Sequence, residues 1–154
     1  MRLIPYRDIL LVKKSNSFID NLVRLFLKQD YTHSEYVIDK WHTISTNINS
    51  PVAIKPFGYN IQSLDIYRLK EDLSSGQIDI ITEQLQKATK TKYDIIEAIC
   101  VGLGINHDDD KRYICITLIT EALESAGVLP VDLHKRFKGF DVFTKSGYFE
   151  KVSN

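Results

Sequence analysis

The chain has 154 residues, 44% apolar and 26% charged, the composition of one globular domain that can bury its own core. Twenty basic and twenty acidic residues cancel, which leaves no net-charge signal for a nucleic-acid partner. The two cysteines, Cys100 and Cys115, make no disulfide framework and read as reduced thiols in an intracellular setting.

In chain order, Asp8-Ile9-Leu10-Leu11-Val12 is an unbroken apolar run of strand length, the pattern of a strand covered on both faces. Ser17 can cap a helix from about Phe18 to Lys28, with Phe18, Leu22, Leu25 and Phe26 as its inner stripe. His33–Asp39 and Trp41–Thr46 read as two strands joined by a tight Asp39-Lys40 turn, an antiparallel hairpin. Val52–Ile54, bracketed by Pro51 and Pro56, predicts a short or edge strand, and Leu64–Leu69 a further one. Ser74 or Ser75 can cap a helix over about Gly76–Thr89, with Ile78, Ile81, Leu85 and Ala88 inward. A helix over Tyr93–Leu103 follows.

The last helix begins near Cys115. Cys115, Leu118, Ile119, Ala122 and Ala126 recur at the spacing of a helix buried on one face, with Gly127 and Pro130 as its stop. The aspartates of His107–Arg112 offer N-caps. The tail, with Phe137, Phe140, Val142, Phe143 and Tyr148, folds back as aromatic cover or an edge strand. A run of strands followed by helices predicts one α+β domain over residues 1–154, with a mostly antiparallel sheet. No apolar run is long enough for a signal peptide or membrane span, so the expected location is cytoplasmic.

A cysteine in the first turn of a helix feels the positive end of the helix dipole, which favours thiolate. A free cysteine is also an ordinary core residue, so a partner has to decide. Of the four histidines, His42 reads as a cross-strand or surface residue, and His107 and His134 as solvated loop residues. His33 opens a strand with Glu35 two residues on, which puts both on one face. The carboxylate can then orient one ring nitrogen while the other meets a partner. No zinc-type ligand spacing, Walker motif, dinucleotide glycine fingerprint or G-x-S-x-G motif occurs, so neither a metal nor another cofactor is expected.

The order of these motifs resembles the circularly permuted branch of the NlpC/P60 papain-like superfamily, the YaeF/YiiX-like group, related to the lecithin:retinol acyltransferase type. The resemblance runs over about residues 8–128, through Asp8–Val12, Tyr31-Thr32-His33-Ser34-Glu35, Ile66-Tyr67-Arg68-Leu69, Tyr93-Asp94 and Tyr113-Ile114-Cys115. It implies a permuted papain-like fold, with Cys115 as nucleophile, His33 as general base and acid, Glu35 orienting His33, and Tyr31 beside the substrate. The implied activity is a cysteine hydrolase cleaving an amide of a small or cell-wall peptide, or a related acyl bond. An acyltransferase or lipid thioesterase, and a silent binding or virion-associated module, are the alternatives. Where the group continues Cys-Ser-Glu, this chain has Cys115-Ile116-Thr117, a departure that implies altered substrate choice or lost turnover.

Overall fold

A computed structural model of the chain describes residues 3–13, 25, 28–47, 50–58, 64–89, 91–93 and 112–152. Strand β1, Asp8–Val12, is buried along its whole length because its residues alternate between two cores. Ile9 and Leu11 pack with Tyr36, Ile44 and the helices, while Leu10 packs with Val37, Leu64 and Ile66 on the other face. Each fully buried side chain of this kind stabilises by about 2 kcal/mol.

The remaining strands of the main sheet are β2 (His33–Val37), β3 (His42–Asn47), β4 (Ser50–Pro56), β5 (Leu64–Leu69) and a late strand, Phe149–Val152. They form a six-stranded sheet around β1, in the order β4-β3-β2-β1-β5 and then the late strand, and every pairing is antiparallel. The architecture is therefore α+β. Strand β4 lies on the edge, as its prolines predict, but is seven residues long rather than short. The β2–β3 hairpin has a longer loop than the two-residue turn expected. Asp39 accepts from the backbone N–H groups of Trp41 (2.7 Å) and His42 (2.8 Å), which winds the chain through a wider turn.

Helix α1, Ser75–Ala88, buries Ile81, Leu85 and Ala88. Ser74 caps it: its Oγ accepts from Gln77 N–H (3.2 Å), and the Gln77 side chain accepts from Ser74 N–H (2.9 Å). Ser74→Ala should lower unfolding free energy in urea by about 1 kcal/mol, and an unchanged midpoint would show the cap idle. Lys92–Tyr93 and Arg112–Tyr113 form β6 and β7, a parallel pair apart from the main sheet. Helix α2, Cys115–Ser125, ends in a Schellman motif. Val128 N–H donates to Leu123 O and Gly127 N–H to Glu124 O, both at 2.9 Å, with Gly127 at φ 67°. A 3-10 turn (Leu133–Arg136), the short helix α3 (Asp141–Lys145) and the late strand Phe149–Val152, here β8, complete the described chain.

The helices expected over 18–28 and 93–103 lie outside the described residues except at a few positions. Leu25 is helical but 74% exposed rather than inward. Tyr93 belongs to β6 and does not open a helix. Cys100, His107 and Asp108–Asp110 also lie outside the described residues.

Candidate active site

Cys115 is the first residue of α2, behind Ile114 in extended conformation (φ −96°, ψ 163°). The cap is therefore Ile114 and not an aspartate. Its N–H donates to the Thr117 hydroxyl at 3.2 Å, so the third residue of the helix closes the first turn. Helix α2 is buried nearly all round rather than along one stripe. Thr117 and Thr120 tolerate this because their hydroxyls donate to backbone carbonyls one turn back, Ile114 O and Ile116 O. Ile116 and Thr117, the positions that depart from the resembling group, thus serve packing and capping.

His33 is fixed by the residue before it. Thr32 donates to Val12 O from both its N–H (2.8 Å) and its hydroxyl (3.2 Å), which starts β2 in register with the end of β1. The Cys115 thiol lies within hydrogen-bonding reach of the His33 ring. On the Glu35 side, His33 Nε2 stands 3.5 Å from Glu35 Oε1, longer than a formed hydrogen bond. The other carboxylate oxygen, Oε2, accepts from the Thr43 hydroxyl at 2.6 Å. Cys115, His33 and Glu35 are 6%, 7% and 2% exposed, so the three act in a dry setting where charge interactions are strong.

Burial opposes a charged imidazole at His33, but Cys115 and Glu35 together outweigh it and push His33 up to about 9. Burial likewise disfavours a thiolate, yet the His33 hydrogen bond and charge, with Ser34, hold Cys115 below the usual thiol range. Ser34, whose buried hydroxyl has no hydrogen-bond partner of its own, is among the groups that favour the thiolate. The two shifts agree in direction: each group favours the charged form of the other, the thiolate beside the imidazolium.

Tyr31 does not lean on this pair directly. Its hydroxyl donates to Asp65 Oδ2 (2.7 Å), and its ring meets Tyr67 and Phe140 edge to face at 6.4 and 6.0 Å. Burial, with Tyr67 and Asp65, keeps the phenol protonated well above its usual range. His42 pairs with Asp39 at the exposed hairpin, as a surface residue should. His134, expected to be solvated, instead has a side chain 10% exposed with Nδ1 3.3 Å from Glu124 Oε1. Glu124 draws it in by also accepting from the N–H groups of Asp132 and Leu133.

Sequence reasoning missed Thr43 and Ser34. Thr43 sits opposite Val37 in the β2–β3 register and is thus a diagonal neighbour of Glu35 on the same face. Only the register could reveal that. Ser34 was visible between His33 and Glu35, but alternation sends its side chain to the other face, toward the core that holds Cys115.

No family model matches the chain. In sequence it is similar to a putative BTB/POZ domain and WD-repeat protein of Acanthamoeba polyphaga mimivirus, 29% identical over 161 aligned residues. That alignment takes in 96% of this chain and 31% of the viral protein. In structure it is similar to the metalloprotein YiiX of Escherichia coli O157:H7, with a TM-score of 0.55 over 97% of each chain and 14% identity. That likeness is one of fold alone. Among the described residues, no three His, Cys, Asp or Glu side chains cluster to hold a metal ion. No described helix is long and apolar enough to cross a membrane.

Proposed function

We propose that the chain is a cysteine hydrolase of permuted papain-like (NlpC/P60) type that cleaves an amide of a small peptide, or a related acyl bond, through Cys115, His33 and Glu35. The observation that carries this reading is the buried Cys115–His33 contact, with Cys115 lowered and His33 raised to about 9. A core cysteine without a catalytic role has no need of a buried imidazole with a carboxylate behind it.

In this reading the Cys115 thiolate attacks the carbonyl carbon, and the carbonyl π electrons move onto oxygen. The oxyanion meets the N–H groups of the first turn of α2, which have no acceptor within the helix. His33 gives its proton to the leaving amine as the C–N bond breaks and the acyl-enzyme forms. It then takes a proton from water, whose hydroxide attacks the thioester and releases the acid and the Cys115 thiolate. Glu35, fixed by Thr43, holds the charged ring in place. Substrate water can be replaced by another acceptor, so acyl transfer shares every step before the last.

A second reading is a binding module that keeps the fold without turnover. It is favoured by the viral relative, which is named for a BTB/POZ domain and WD repeats and of which this chain matches only 31%. The same relative makes association with a virus part of the proposal.

The pH dependence of Cys115 alkylation by iodoacetamide, followed by peptide mass spectrometry, separates the two. The paired thiol should titrate below the free-thiol value of about 8.5, and His33→Ala should move the midpoint up toward it. A midpoint near 8.5 in both proteins would leave the binding-module reading standing.

A further inference from the structure

A second polar cluster lies beside the nucleophile and has no part in the steps above. Asp65, whose side chain is 11% exposed, is gripped from three sides. Lys13 Nζ lies 2.7 Å from its Oδ1, and Lys151 Nζ and the Tyr31 hydroxyl lie 2.8 and 2.7 Å from its Oδ2. These contacts outweigh the cost of burial and hold the carboxyl below its ordinary range.

The sheet register fixes where this cluster stands. Leu11 pairs with Ser34 on one side and with Asp65 on the other. Directly paired residues of antiparallel strands share a face, so Ser34, Leu11 and Asp65 form one row on one side of the sheet. Lys13 follows Leu11 by two residues, and Lys151 pairs with Tyr67, two residues from Asp65. The period of two puts both lysines on that same side. Cys115 packs in the same core as Leu11, on that side of the sheet, and Ser34 is among the groups that favour its thiolate. Two strand spacings therefore separate the cluster from the nucleophile, about 10 Å.

The charges in the cluster do not cancel. Two ammonium groups share one carboxylate, and Asp65 already accepts from three donors, so it pins the lysines rather than receiving a cation. Each lysine uses one of its three N–H donors on Asp65. Their side chains are 40% and 52% exposed, so the other donors face solvent. We propose that Lys13 and Lys151, held in place by Asp65, are a subsite for an anionic group of the substrate, a carboxylate or phosphate carried about 10 Å from the carbonyl that Cys115 attacks. This rests on Cys115 being the substrate-side nucleophile, but its test requires only that Cys115 can be alkylated.

Three iodoacetyl reagents make the test: iodoacetyl derivatives of γ-aminobutyrate, of its carboxamide, and of aminopropylphosphonate. Each alkylates Cys115 and projects its end group toward the cluster. The rate ratio of an anionic reagent to the neutral carboxamide should be about threefold to fivefold higher in the parent than in Lys13→Gln/Lys151→Gln, the size of a partly exposed charge contact. It should shrink as salt is raised and survive in Lys13→Arg/Lys151→Arg, which keeps both charges. A faster carboxylate reagent assigns the subsite to carboxylates, and a faster phosphonate assigns it to phosphates. An equal ratio in the parent and the Gln variant overturns the subsite. The two proposals fail separately: a Cys115 that titrates as a free thiol sinks the hydrolase reading, while the reagent ratio can still be read at higher pH.

Discussion

Cys115→Ala should abolish turnover of an activated substrate such as p-nitrophenyl acetate, by about four orders of magnitude in kcat, and should remove the initial burst of nitrophenol. In the proposed mechanism the sulfur is the atom that forms the acyl bond, and alanine offers nothing in its place. The fold should survive, because the change removes one atom from a site 6% exposed and costs about 1 kcal/mol. His33→Ala should cost nearly as much, since cysteine and histidine work as one unit. In the parent, the rate should rise with pH as Cys115 ionises, below the usual thiol range, and fall as His33 loses its proton near 9. A Cys115→Ala protein that keeps the parent's burst would place the chemistry elsewhere.

The largest effect on stability is expected at the opposite end of β1. Asp8 is fully buried and pairs across the sheet with Arg68, its register partner on β5. The guanidinium forks onto both carboxylate oxygens, at 2.6 and 2.8 Å, and the carboxylate also accepts from Ile4 N–H at 2.7 Å. Asp8→Ala deprives a mostly buried guanidinium of its counter-charge and a backbone donor of its acceptor. The expected loss is about 3 kcal/mol, or roughly 10 °C in Tm for a chain of this size. The exposed Lys145–Asp141 pair, one helical turn apart, is the control: breaking it should cost under about 0.5 kcal/mol. A shift at Asp8 no larger than the control would mean that the ion pair only balances its own desolvation.

The parts of the fold that could be read in advance are those set by local chemistry. The unbroken apolar run of Asp8–Val12 requires cover on both faces, and β1 has it. Ser74 with Gln77 three residues on is a cap wherever a helix follows. His33 and Glu35 share a strand face by alternation alone, and their contact follows once β2 forms. What escaped depends on residues far apart in the chain. The place of β5 next to β1, rather than beside β4, is a tertiary choice. Thr43 behind Glu35 and Asp65 in the Ser34 row are products of register, which no single segment encodes. Burial of Thr117 and Thr120 escaped because their hydroxyls bond to their own helix, so polar residues behave as core.

The position of β1 also bears on how the chain can be made. Of the described strands, the first to leave the ribosome stands at the centre of the sheet, and its partner β5 emerges much later. Until then the nascent chain carries Ile9, Leu10 and Leu11 on a strand with one open flank, an exposure that invites chaperone binding or mispairing between neighbouring chains. Helix α2 emerges later still. Cys115 therefore meets His33 only after the strands that hold the histidine and its carboxylate have been made, and a nascent chain that stops short of α2 holds that pair without the Cys115 sulfur.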